Sequence, residues 1–277
     1  MSTNLTSTPR PASRNRPAPT QSRRGLSRGF SNRPPPAESQ PPPHGANPNR
    51  LLAALPKIEY ARISPALEVV SLKLKQFIHP PGEPISHVYF PGDGFCSAIT
   101  VLADGMMVEV ATIGREGITG AFHSDSGGPP SSATMVQGAV TVCYRMPAVA
   151  FRAEMDRRET LYEVVTNYVD VLTKVIMQST ACNAVHHVEQ RLARWVLTAH
   201  DYMRTDTFAL TQEFVAIMLG VARPTVTTIA SRLQKAGLIR YRTGQLTVVD
   251  REALEQAACE CYGITATLLG LERPRES

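Results

Sequence analysis

From Arg158 to His187 the chain contains neither glycine nor proline, and its apolar residues repeat with a helical period. Leu161, Val165, Tyr168, Leu172, Val175, Ser179 and Cys182 follow one another at spacings of four, three, four, three, four and three. That is an a/d seam sustained over about three heptads. Val164, Val171 and Ile176 supply a second apolar side. A helix that is apolar on two sides can pack on its own chain and on a second copy. The regular seam predicts a homodimer, with those seven residues as its interface and 158–187 as a dimerisation helix. Whatever precedes and follows must be arranged around this rod.

Before the helix the pattern is that of short strands. "HVYF", "FCSAITVL" and "MMVEVATI" are separated by "PGDG", "ADG" and "GREG", and "ATMVQGAVTVCYRMP" adds two more. Strand-forming runs divided by Gly, Pro and Asp turns read as β-structure. Six to eight of them predict a small antiparallel β-barrel or jelly roll over residues 51–157. Its first part, "LLAALPKIEYARISPALEVVSLK", reads as short helices broken by prolines.

The first 50 residues are different. They hold 11 of the 22 prolines and almost no aliphatic or aromatic residues. Such a segment cannot offset its ordering entropy by burial, so 1–50 is predicted to be a disordered tail. Its eight arginines against Glu38 alone give +7, whereas the whole chain carries +5, leaving about −2 for residues 51–277. The basic balance therefore belongs to the tail and is no sign that the folded part binds nucleic acid. The tail arginines can touch phosphates only non-specifically.

The five cysteines are Cys96, Cys143, Cys182, Cys259 and Cys261. An odd, scattered set argues against a disulfide framework. Cys259-x-Cys261 is tighter than a zinc knuckle and has no second pair, so no metal site is expected and the cysteines read as small buried side chains. No run of 18 apolar residues and no signal peptide are visible, which predicts a cytoplasmic protein with no membrane partner. No nucleophile, base and orienter come together in the sequence, nor any phosphate loop. His79, His87 and His123 in the strand region have no ligand motif, and no enzyme is expected.

The most specific pattern lies near the C-terminus, in "LTQEFVAIMLGVARPTVTTIASRLQKAGLI". Thr211 suits a helix N-cap. Ala216 is small where two helices would cross, and Gly220 allows a left-handed turn between them. Val215, Leu219, Val221, Val226 and Ile229 fall where a helix-turn-helix needs apolar residues. Pro224 sits in the first turn of the second helix, where a missing N–H costs little. This end of the helix enters the major groove in such motifs. Thr211, Gln212, Arg223, Thr225, Thr227, Thr228, Arg232, Lys235 and Arg242 are the candidate DNA-binding residues. Arginine can grip guanine bidentately, and threonine can meet a phosphate or a thymine methyl. "GLIRYRTGQLTVVD" reads as a two-stranded wing with a Thr243-Gly244 turn, and Asp250 as the cap of a last helix. Between 211 and 245 five cations face Glu213 alone, a local +4. The winged unit is placed at 188–262, with 263–277 as a C-terminal tail. The fold class is α+β.

Across roughly 51–262 the chain resembles the Crp/Fnr family of bacterial transcription regulators. The resemblance rests on "VYFPGDGFCSAITVLADGMMVEVATIGREGITG", "HHVEQRLARWVL" and the helix-turn-helix stretch. It implies a cyclic-nucleotide-binding-like domain, a dimerisation helix, a winged helix-turn-helix, a two-fold site on double-stranded DNA, and contact with RNA polymerase. It also implies differences. Cyclic-AMP-binding members use Gly-Glu for the ribose and an arginine for the cyclic phosphate. Here Glu116-Gly117 reverses the first pair, and Ser131 stands where the arginine would be. Without a charge-assisted partner for the phosphate, neither cAMP nor cGMP is the expected ligand. Residues 1–95 contain no cysteine, so the family's N-terminal iron–sulfur cluster is not expected either. Arg223 matches the family's base-reading arginine, while Pro224 and Thr228 replace a glutamate and a second arginine. The competing reading is an effector-binding or protein-docking module without specific DNA recognition.

Overall fold

The computed structural model describes residues 41–103, 105–121 and 132–271. Most of the proline-rich tail, together with His123 and Ser131, lies outside the described residues. The fold begins earlier than the composition suggests. Asn47 and Asn49 are buried. The Asn49 side-chain oxygen accepts from the backbone of Leu51 and Leu52, capping α1 (Arg50–Ala53). Its amide donates to the carbonyls of Pro91 and Gly117, both at 2.9 Å. A disordered segment extending to residue 50 is therefore corrected: 41–50 docks on the sheets through polar side chains that satisfy buried backbone groups.

After α2 (Lys57–Ile63) and a single 3-10 turn, the chain turns to strand earlier than expected. The series of short helices is corrected at its end, where "EVVSL" forms β1 (Glu68–Leu72). The β-branched Val69 and Val70 find cross-strand partners, Tyr144 and Cys143, and pairing overrides local pattern. β2 (Phe77–His79), β3 (His87–Pro91), β4 (Cys96–Val101), β5 (Met107–Ile113), β6 (Ser132–Val136) and β7 (Val140–Pro147) follow. They form two antiparallel sheets, ordered β1-β7-β3 and β2-β6-β4-β5. Two sheets face to face make a jelly-roll-like sandwich rather than a closed barrel.

α3 (Ala148–Met155) leads into the long helix α4 (Thr160–Val185). Its seam is buried inside one chain. Leu161, Val165, Tyr168 and Leu172 are at most 5% exposed and pack with Ala111, Ile113 and Ile118 of the roll. Val175 and Cys182 are also buried, and Ser179 is half-buried. The assignment of these seven residues to a dimer interface is therefore corrected. A heptad seam reports that a helix buries one stripe, not which surface covers it. Here its own β5 does over the first part of the seam, and the start of the last helix, at Cys261, covers Cys182.

α5 (Val188–Met203) is buried over most of its length and joins the roll to the C-terminal unit. One apolar core runs without a break from Phe95, Ile99 and Met135 through Trp195 and Tyr202 to Val215, Val226 and Leu246. Beyond α5 come β8 (Thr207–Ala209), α6 (Gln212–Leu219), α7 (Arg223–Lys235), β9 (Ile239–Arg242), β10 (Gln245–Val248), α8 (Arg251–Ala257) and α9 (Cys261–Leu269). The expected tail at 263–277 is corrected by α9. Tyr262 and Leu269 are buried, and Gly270 ends the helix at φ 57° with Leu271 N–H donating to Ala266 O at 2.9 Å. This is a Schellman ending, which only a well-formed helix makes. The Arg50 guanidinium donates to the carbonyls of Leu269 and Gly270, tying the first helix to the last. Among the described residues no single helix is long and apolar enough to cross a membrane.

Candidate nucleic-acid interface

The helix-turn-helix is built as its residues require. Thr211 Oγ1 accepts from Phe214 N and caps α6. Gly220 takes φ 62° and ends it. A Cβ at Gly220 would also lie 3.2 Å from Val108 of β5, so the turn itself presses on the roll. α7 leaves α6 at 109°, within the range for this motif. Pro224 lies in the first turn of α7, and Val226, Ile229, Ala230 and Leu233 are buried behind it.

At 3.6 residues per turn, the outermost stripe of α7 is Pro224, Thr228, Ser231 and Lys235. Arg223 and Thr227 flank it on one side, Thr225 and Arg232 on the other. Arg223, Thr225, Thr227, Thr228, Arg232 and Lys235 are all exposed. Thr227 Oγ1 donates to Gln212 Oε1 at 2.7 Å, and Thr228 Oγ1 donates to Pro224 O at 3.0 Å. Both hydroxyls are thus engaged within the motif. Arg232 differs from the others: its guanidinium faces Glu189 of α5 at 3.4 Å. Both partners are well exposed, so this ion pair holds it only weakly. Thr211 and Gln212 stand at the start of α6, their side chains committed to the cap and to Thr227. On the wing, β9 exposes Arg240 and Arg242 beside a tight turn in which Thr243 and Gly244 both take positive φ. Ser231 was not singled out from the sequence, although it lies three residues beyond Thr228 on the same stripe.

The joint between this unit and the roll is polar at its centre. Glu109 of β5 is half-buried. It accepts from Trp195 Nε1 at 2.9 Å, from Thr112 Oγ1 at 3.1 Å, and from Ser97 Oγ. Burial raises its carboxyl above the usual range, against these hydrogen bonds and the nearby Arg194. Glu116, of the pair that reverses the family's ribose-binding Gly-Glu, is bonded to the fold: it accepts from Tyr202 Oη and Gly114 N, each at 2.9 Å. Burial raises its carboxyl as well.

A cavity of about 240 Å³ opens between the roll and α4. Its walls include His79, Ala98, Val110, Ile113, Thr134, Leu172 and Ile176. Among the described residues it has no arginine, lysine or carboxylate. The Ser131 position lies outside the described residues.

The cysteines are not scattered in space. Cys182 and His186, four residues apart at the end of α4, meet Cys259, between α8 and α9, and Cys261, the first residue of α9. The four ligand atoms lie within 4.8 Å of one another. Cys259 and Cys261 are small buried side chains, as the sequence reading has them, but they are not dispersed: three thiols and an imidazole form one compact donor set. The signal missed in the sequence was Cys182-x3-His186, a helical i, i+4 pair, which stands far from the other two cysteines.

The two-sheet roll, the long helix on its flank and the winged helix-turn-helix after it make up the fold of Crp/Fnr-type transcription regulators. More particularly, residues 190–257 match the family model of the Crp-like helix-turn-helix domain. A Crp/Fnr-family regulator from Eubacterium rectale is similar in structure, with a TM-score of 0.60 at 18% identity over 76% of this chain and 98% of that one. A CRP-family transcriptional regulator from Thermus thermophilus aligns with a TM-score of 0.58 at 19% identity, covering 68% of this chain and 95% of its own. FixK2 from Bradyrhizobium japonicum gives 0.54 at 17% identity, covering 70% and 98%. No curated protein matches the chain.

Proposed function

We propose that the protein is a sequence-specific, homodimeric transcription regulator that places α7 in the major groove of a two-fold DNA site. The observation that carries this reading is the outer face of α7. A bound helix needs an exposed mixture of arginine and small groups at its N-terminal end, backed by a wing that can reach phosphate. Arg223, Thr227, Thr228 and Lys235 provide the first, and Arg240 and Arg242 the second. Arg223 reads a guanine, the threonine methyls meet thymine, and Lys235 and the wing arginines grip the backbone. The second copy joins along the outer face of α4. There Tyr162, Thr166, Val169, Thr173, Met177, Thr180 and Ala184 form an uncharged stripe at helical spacing, about a third of a turn round from the seam that the roll covers. Val169 and Tyr162 are half-buried, and Met177 is 67% exposed.

The cavity beside α4 is the effector site in this reading. Without a cationic wall among the described residues, it favours a small and largely apolar ligand over a cyclic nucleotide. The protein would work in the cytoplasm, beside RNA polymerase, and without enzymatic activity. Selection from randomised duplexes, followed by anisotropy titrations at several salt concentrations, tests the reading. A conserved two-fold motif and a steep salt dependence are expected. Equal affinity for all sequences, or none for any, would remove it.

A further inference from the structure

The four-residue donor set at the end of α4 is unused by DNA reading and by the cavity. Its geometry is specific. Cys182 Sγ and Cys259 Sγ are 3.6 Å apart, and Cys261 Sγ and His186 Nδ1 are 3.5 Å apart. Around one tetrahedral zinc-class ion, with metal–sulfur bonds of about 2.3 Å and metal–nitrogen bonds of about 2.0–2.1 Å, the sulfur–sulfur edge is about 3.8 Å and the sulfur–nitrogen edge about 3.5 Å. Two of the six edges already stand close to those lengths, and all four donor atoms lie within 4.8 Å of one another. Ligands on the two irons of an iron–sulfur cluster are held farther apart than the edges of a single coordination sphere.

The surroundings fit as well. His186 Nε2 lies 3.3 Å from Glu260 Oε1, so a metal on Nδ1 would leave the other ring N–H donating to a carboxylate, the usual outer partner of a ligating histidine. Gln178 Nε2 donates to Cys261 Sγ at 3.0 Å. Cys182, Cys259 and Cys261 form a cluster of their own and are at most 4% exposed. Three thiolates and a divalent ion sum to −1. Arg191 of α5 is a buried guanidinium whose Nε has no hydrogen-bond partner. Its Nη2 donates to Leu219 O at 2.6 Å, at the end of α6.

We propose that Cys182, His186, Cys259 and Cys261 bind one zinc-class divalent cation, clamping the end of α4 to the α8–α9 junction. Binding releases the thiol protons and changes no oxidation state. The site is independent of the DNA-binding reading.

The test is a titration of the full chain, reduced and stripped with a chelator, with Co²⁺ as a spectroscopic probe. One cobalt per chain is expected, with thiolate-to-cobalt charge transfer and the intense visible bands of tetrahedral Co²⁺, displaced by Zn²⁺. Cys259→Ser and Cys261→Ser should lose these bands. Cys143→Ala, far away in β7, should keep them. Glu260→Gln, which leaves every ligand in place, should weaken affinity about tenfold. The wild-type titration decides the matter even if a cysteine variant fails to fold. No stoichiometric uptake by the wild type, or the weak spectrum of octahedral cobalt, would overturn the proposal. So would recovery of Cys182 and Cys259 as a disulfide from protein kept from oxidants.

Discussion

Replacing Leu172 by alanine separates two roles for the long helix. The side chain is 1% exposed and packs in the cluster formed by Ala111, Ile113, Val165 and Tyr168. Buried leucine-to-alanine changes cost roughly 2–5 kcal/mol, the sum of lost transfer energy and the void left behind. Leu172 also lines the cavity of about 240 Å³, so one side of it already lacks neighbours. That places the cost at the lower end, about 2–3 kcal/mol. For a chain of this size each kcal/mol moves the midpoint by roughly 2–4 °C, so Tm should fall by about 4–12 °C. The variant should nevertheless keep the mass of the wild-type assembly in light scattering, because its side chain faces the roll. Thr173→Glu, one residue away on the outer stripe, should do the reverse: near-native Tm for the chain but a monomer mass. If Leu172→Ala produced monomers at unchanged Tm, the roll would not be what covers the seam.

Other outcomes follow from the same geometry. Arg223→Ala should cost roughly 1–3 kcal/mol on the selected site and relax preference at one base pair, read by repeating the duplex selection. Lys235→Ala should weaken all duplexes alike and lower the salt slope by about one, measured by anisotropy. Pro224→Ala should leave the fold intact, with a stability change of roughly 0.4–1 kcal/mol in urea denaturation, since its contribution acts mainly on the unfolded chain. Burial holds the Glu116 carboxyl above its ordinary range, so the folded state binds that proton more tightly than the unfolded state does. Its contribution is present below the ordinary glutamate pKa of about 4.3 and is lost as pH rises through the raised folded value. Glu116→Gln, which keeps an acceptor for Tyr202, should flatten that part of the pH–stability curve in urea titrations.

Much of the C-terminal unit was legible because its residues are constrained jointly and locally. A cap at Thr211, a left-handed turn at Gly220 and a proline at the start of α7 each act within a few residues. The strands β3 to β7 were legible for the same reason, through their turn residues. What escaped was non-local. Asn49 has no apolar character, and only the carbonyls of Pro91 and Gly117, far along the chain, make it a structural residue. The a/d seam of α4 was visible, but periodicity carries no label for the covering surface. Arg232 looked like its neighbours until Glu189 came within reach. The thiol set is the clearest case. Cys182 and Cys259 are 77 residues apart, and nothing in either local pattern refers to the other.

The chain has a single tryptophan, and it stands where the roll meets the DNA-reading head. Trp195 packs edge-on to Phe95 with ring centroids 6.2 Å apart, and its indole N–H donates to the half-buried Glu109. Any rearrangement that shifts the head against the roll must change the ring's packing, its hydrogen bond, or its shielding from water. Emission from this one indole is thus a native optical gauge of signal transmission, needing no label, and ligands for the cavity can be sought by watching its colour.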